Sequence, residues 1–151
     1  MAWIGAGTAP AGCIFCDAFG SDDDRRHVVL ARTAHAFILL NAFPYASGHL
    51  MVALRRHVGT ITGAEAGELA DAMTLVQRAI AALDGEYHPH GYNVGVNQGR
   101  AAGAGIADHL HIHVVPRWDG DANFMSTVGE VRVLPETLER TWERLRSRLG
   151  G

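Results

Sequence analysis

Between Val28 and Leu54 the chain passes through three short apolar stretches, Val28 to Arg32, Ala36 to Asn41 and His49 to Leu54, each of strand length. Thr33-Ala34 separates the first two, and the turn Pro44-Tyr45-Ala46-Ser47-Gly48 separates the next pair. Connections this short favour antiparallel neighbours. The period then changes. Leu69, Met73, Val76, Ile80 and Leu83 recur at steps of four and three, which predicts a helix beginning near Thr62. Thr62 and Glu65 have the capping-box spacing, and Gly85 and Pro89 end the pattern. Alternation returns over Tyr92 to Asn97 and again from Asp108 to Val115, with a glycine-rich loop at residues 99–105 between them. A last helix is expected from Pro135, with Leu138, Trp142, Leu145 and Leu149 on one face and Gly150 just past its end. Strands, helix, strands, helix, without internal repeats, make an α+β domain.

Composition narrows the function classes. With 151 residues, 48% hydrophobic and 19% charged, the chain fits one globular domain over residues 13–151, behind a loose Gly/Ala-rich leader at 1–12. The net charge is −3, and no Lys/Arg cluster offers a footprint for nucleic acid, although a small phosphate-bearing ligand needs only local donors. No apolar run reaches membrane-spanning length, and Met1-Ala2-Trp3-Ile4-Gly5 lacks a signal-like segment, so no membrane partner is expected. Cys13 and Cys16 are the only cysteines, too few for a disulfide framework, which makes a reducing, cytoplasmic setting the expectation.

The nine histidines carry the chemistry. His109, His111 and His113 fall on one face of the Asp108 to Val115 strand, and Leu110, Ile112 and Val114 on the other. One face can pack on a core while three imidazoles project side by side, and burying three of them without partners would be costly. Two readings follow from the spacing alone: a metal site built of imidazoles, or one nucleophilic imidazole whose neighbours supply hydrogen bonds and protons. Cys13-Ile14-Phe15-Cys16 has the Cys-x2-Cys spacing of half a zinc site, and two reduced cysteines packed as small hydrophobes fit it equally. His27, His35, His88 and His90 show no partner pattern and are expected to be exposed or at turns.

Asp108-His-Leu-His-Ile-His-Val-Val-Pro-Arg-Trp118 is similar to the signature of the histidine-triad superfamily. The resemblance extends to Asn41, to Pro44 to Val52, to Asn93 to Gly99 and to Gly120 to Met125, and covers roughly residues 13 to 148, nearest to diadenosine-polyphosphate hydrolases and phosphorylases. It implies an antiparallel sheet of about five strands with two main helices, and a homodimer that joins its sheets.

By the same resemblance, His111 attacks the α-phosphorus of a nucleotide and forms a covalent nucleotidyl-histidine that a second acceptor resolves. The backbone carbonyl of His109 selects its tautomer, His113 meets the phosphate oxygens and assists the leaving group, and His49 supports the triad by hydrogen bonding. Asn41 is implied at the ribose and Asn97 at the ribose or phosphate. Gly103 and Gly105 would offer backbone N–H groups to phosphate, and Trp118 would stack on a base. Phe15, Phe37 and Leu39 are candidates for an apolar base slot. The stretch around Gly105 carries no polar side chain until Asp108, which leaves the acceptor open between water and inorganic phosphate, with hydrolysis ahead on the breadth of the family.

The chemistry itself is expected to need no cofactor. Some relatives hold a structural zinc with such a cysteine pair and two histidines, here Cys13, Cys16, His57 and His109. Two readings of another class stay beside the enzyme: a nucleotide-binding protein with negligible turnover, and a metal-dependent hydrolase using the three triad histidines as ligands.

Overall fold

The computed structural model describes residues 12–123, 127–129 and 135–150. Residues 1–11 of the expected leader, and Phe124 and Met125, lie outside them. Its elements are α1 (Ile14–Gly20), β1 (Val29–Arg32), β2 (Ala36–Leu40), β3 (Leu50–Leu54), α2 (Ala66–Tyr87), β4 (Gly91–Gly95), a 3₁₀ turn (Arg100–Ala102), β5 (His111–Arg117) and α3 (Leu138–Leu149). The five strands form one sheet in the order β1-β2-β3-β5-β4, with every neighbouring pair antiparallel.

Both faces of the sheet are covered at β1, β2 and β3, whereas β4 is largely exposed. On one, α2 and α3 pack over Leu30, Ile38, Leu40, Val52, Leu54, Ile112 and Val114. On the other, Phe15 and Ala18 of α1 close a second cluster with Val29, Phe37, Leu39, Met51 and Ala53. For this reason β2 and β3 are buried along their whole length, with no solvated alternate face. The α+β, antiparallel architecture is as expected, but α1 is a third helix that periodicity did not predict. At seven residues it is too short to stand on propensity. It is held from outside: the Arg32 guanidinium donates to the carbonyls of Phe19, Ala18 and Ser21 at its C-terminal end, at 2.5, 2.9 and 3.0 Å.

Both long helices begin later than their sequence signals suggest. Residues 61–64 form a turn in which the Thr60 hydroxyl accepts the Gly63 N–H at 3.1 Å, so Thr62 does not cap a helix. The helix starts at Ala66, because the Glu68 carboxylate accepts the Glu65 N–H at 2.9 Å and is itself gripped by Arg56 at 2.9 and 2.7 Å. The helix also runs past Gly85 to Tyr87, with His88 in the left-handed conformation before Pro89. Its buried face is Ala72, Leu75, Val76, Ala79, Ala82 and Leu83, and Met73 points outward at 51% exposure. Three alanines let the helix approach the sheet closely, which rotates the stripe away from the bulkier residues. The last helix is capped by the Thr137 hydroxyl, which accepts the Arg140 N–H, and so begins at Leu138, three residues past Pro135.

The Arg56 ion pair and its hydrogen bonds hold the Glu68 carboxyl down at about 2. A group lowered in the fold stabilises above its unfolded value near 4.3 and loses that contribution as pH falls toward 2. Glu68→Gln is therefore expected to cost about 1–2 kcal/mol at pH 7, read from the urea midpoint at unchanged m value. The difference from wild type should narrow as the pH is lowered from 4.5.

Candidate functional site

Register brings the histidines to β3. Ala53 pairs with His111 and Met51 with His113, and the small Ala53 leaves room for the imidazole opposite. His109 precedes the regular strand, which begins at His111, yet it is buried at 1% exposure. His49 is also at 1% and His111 at 6%. Two glycines make this possible. Gly48 has φ +79°, and a Cβ there would meet Leu83 Cδ2 at 2.8 Å, so only glycine delivers His49 into β3 from this turn. At Gly59 a Cβ would stand 2.8 Å from the Ala107 carbonyl oxygen, where that segment crosses the chain entering the histidine row.

Hydrogen bonds select the tautomer of each imidazole. The Leu54 carbonyl, 2.6 Å from His109 Nε2, can only accept, so Nε2 carries the proton and Nδ1 keeps a free lone pair. The His109 carbonyl, 2.8 Å from His111 Nδ1, does the same for the next ring and leaves His111 Nε2 unprotonated. The Tyr45 N–H donates to His49 Nδ1 at 3.0 Å, so His49 carries its proton on Nε2, which stands 3.0 Å from His113 Nδ1. His113 then holds its own proton on Nε2. The row thus presents an unprotonated ring nitrogen on His111 beside a proton donor on His113, with ring centroids 4.9 Å apart.

Burial lowers the basicity of His111 and His109. It pushes His113 down to about 4, with a further contribution from the neighbouring His111. These imidazoles are neutral at neutral pH, as attack by nitrogen requires. Because His113 is lower in the fold than unfolded, stability is full above about 6.5 and is lost as pH falls toward 4. An NMR titration should give His113 a midpoint near 4, and the urea midpoint should decline over that window. A His113 midpoint near 6.5 would contradict this assignment.

Cys13, Cys16, His57 and His109 converge, with one ligand atom from each lying within 4.8 Å of the others. His109 Nδ1, the nitrogen left unprotonated by Leu54, stands 3.3 Å from Cys13 Sγ and 3.6 Å from Cys16 Sγ, and His57 Nδ1 stands 3.4 Å from Cys16 Sγ. Two sulfurs and two aimed nitrogens form a donor set that could hold a metal ion. The three triad imidazoles, by contrast, hydrogen-bond to different partners, His109 to the Leu54 carbonyl, His111 to the His109 carbonyl and His113 to His49.

The other expected residues are dispersed. Asn41 Oδ1 accepts the Phe43 N–H at 2.9 Å, an Asx turn, and its amide nitrogen lies 3.5 Å from His49 Nε2. Asn97 and Trp118 line a groove of about 1190 Å³ that reaches the histidine row at His113 and also touches Tyr45, Arg117 and Arg140. Arg117 is committed there to Asn93 and, in bidentate fashion, to Asp121. Gly103 and Gly105 are exposed in their loop. Phe15, Phe37 and Leu39, expected to form a base slot, are 0, 0 and 5% exposed and belong to the second core cluster. Among the other histidines, His35, His88 and His90 are exposed as expected, although His90 Nδ1 also accepts the Asp119 N–H at 2.9 Å. Sequence reasoning missed the Tyr45 N–H and the Leu54 carbonyl, since backbone groups leave no residue-type signal.

The family model described as the HIT domain matches residues 23–120. An AP-4-A phosphorylase of Mycobacterium tuberculosis is 43% identical over 118 residues, which is 78% of this chain and 60% of that protein. The chain thus spans about 60% of the length of the phosphorylases it matches. An adenosine 5'-monophosphoramidase of Schizosaccharomyces pombe is 28% identical over 137 residues, covering 91% of this chain and 98% of its own. Among solved structures, a Zn-bound histidine triad family protein from Mycobacterium smegmatis aligns with a TM-score of 0.75 at 27% identity, covering 92% of this chain and 94% of that one.

Proposed function

From the premise that the chain belongs to the HIT domain family, we propose that it transfers a nucleotidyl group from a diadenosine-tetraphosphate-like phosphoanhydride, through His111, to inorganic phosphate. The observation that carries this reading is the 2.8 Å contact of His111 Nδ1 with the His109 carbonyl, which leaves Nε2 free to attack. As the P–N bond forms, the P–O bond to the leaving polyphosphate breaks and its electron pair departs with the oxygen. The attached ring keeps its proton on Nδ1, which still donates to the His109 carbonyl, and carries a positive charge, which makes it a good leaving group in turn. His113 donates a hydrogen bond from Nε2 to the departing oxygen, and His49 fixes that orientation. An oxygen of the acceptor then attacks phosphorus, the P–N bond breaks with its electron pair returning to Nε2, and neutral His111 is regenerated.

Phosphate as acceptor is favoured by the 43% identity to the phosphorylase, which outweighs the breadth argument for water. Hydrolysis is the second reading, supported by the phosphoramidase relative. Incubation with diadenosine tetraphosphate, with and without inorganic phosphate, separates them. ADP plus ATP formed only with phosphate is the expected result; AMP plus ATP in water would assign a hydrolase, and binding without products would assign a nucleotide-binding protein. Activity that survives exhaustive chelation would exclude metal-dependent hydrolysis.

Three further assignments belong to this reading. Asn41, Asn97, Gly103, Gly105 and Trp118 contact the nucleotide or its phosphates. Cys13, Cys16, His57 and His109 hold a structural zinc, for which the donor set is apt and a zinc-bound relative is known; zinc would supply a fixed tie between the start of α1 and the entry to β5. A homodimer forms through the edge strand β4, the turn at residues 61–64 and α2, where Val94, Ile61 and Met73 are 42, 46 and 51% exposed. No helix among the described residues is long and apolar enough to cross a membrane, and a cytoplasmic location is proposed with the reducing state of the cysteines.

A further inference from the structure

Phe15 lies between the two cysteines of the cluster, in the first turn of α1. It is fully buried, and its ring rests on two imidazoles at once, with its centroid 4.8 Å from that of His111 at 40° and 5.1 Å from that of His109 at 55°. The hydrogen bond to the His109 carbonyl fixes one edge of the His111 ring and chooses its tautomer, but it leaves the ring free to swing about that contact. Phe15 occupies the space into which such a swing would go. Nothing within α1 keeps Phe15 there: the helix has seven residues and no side-chain cap at Cys13. Its C-terminal end is fastened by Arg32, while its N-terminal turn is held by the packing of Phe15 in the second core cluster and by the contacts of Cys13 and Cys16 with His109 and His57, which set how closely the Phe15 ring is pressed on His111.

We propose that Phe15 is a positioning residue for His111, clamped on the imidazole by metal bound to the two cysteines that flank it. The inference rests on the reading of His111 as nucleophile. It makes the metal cluster a determinant of nucleophile geometry as well as of stability. The coupling runs from metal to Cys13 and Cys16, through the helical turn between them, to the Phe15 ring and on to His111. A nucleophile misplaced by about 1 Å can lose on the order of 10²-fold in rate, so the clamp has scope to matter.

Two measurements on the zinc-loaded protein test it. In steady-state kinetics on diadenosine tetraphosphate with phosphate, Phe15→Ala should lower kcat about 100-fold at nearly constant KM while retaining its zinc. Phe15→Leu, which restores apolar bulk, should recover most of kcat. A Phe15→Ala kcat within twofold of wild type would overturn the positioning role, as would a loss in KM alone.

The second measurement needs no substrate and so stands apart from the functional reading. Wild-type protein is followed by NMR before and after zinc removal with a chelator. The His111 ring resonances, shifted by the Phe15 ring current, should move, while the Trp142 indole N–H, hydrogen-bonded to the Val29 carbonyl at 2.9 Å, should stay. Resonances unmoved at both sites would overturn the clamp. Movement at both would show the metal supporting the whole fold rather than this contact, and would overturn it too.

Discussion

Replacing His111 with alanine is expected to reduce nucleotidyl transfer by at least about 10⁴-fold while leaving the protein folded and able to bind nucleotide. The magnitude follows from the role. Losing a nucleophile removes the covalent route altogether, and only positioning by the remaining groups is left. The substitution should be tolerated structurally, since His111 faces the second, smaller core cluster and its cross-strand partner is Ala53. Rapid quenching of wild type with radiolabelled substrate should trap nucleotidyl-enzyme, and the variant should trap none. Near-normal turnover in the variant would assign the nucleophile elsewhere.

The second large effect concerns the metal. Cys16→Ser is expected to reduce bound zinc from about one equivalent to well under a tenth, because a serine hydroxyl is a poor replacement for a thiolate. If the lost tie is worth about 3–4 kcal/mol, the melting temperature should fall by roughly 10 °C for a domain of this size. Metal analysis of protein purified without added zinc, together with thermal unfolding, checks both parts. Zinc content well under one equivalent in the wild type would remove the basis for the comparison and refute the zinc assignment. Unchanged zinc content in the variant would place the metal on other residues.

Strand positions were readable from the sequence because their apolar stretches are bounded by strong turn residues, and β1, β2 and β3 each lie within the expected segments. The histidine alternation survives as a shared face for His111 and His113, because register with β3 enforces it. Legibility failed where tertiary contacts decide. Glu68 starts its helix with help from Arg56, twelve positions earlier, and no local pattern carries that pairing. The short α1 depends on Arg32, and Phe15, taken as a wall for a base, is covered because that helix exists. Grouping of Cys13 and Cys16 with His57 and His109 entered through resemblance, and the fold supplies the physical cause, since β3 leads into His57 beside the start of β5.

The strand order also has a consequence for how the chain acquires its shape. β1, β2 and β3 form a local meander complete by Leu54, whereas β5 must insert between β3 and β4 and pair with residues far back in the chain. Contacts between such distant segments form slowly, because a long loop must close before any of them contributes. During synthesis, β3 therefore presents an open edge of five core residues, Leu50–Leu54, until Arg117 has emerged. The strand that carries His111 is thus the one that seals the sheet, and a chain halted before it would hold a sticky, self-pairing edge in place of a catalytic face.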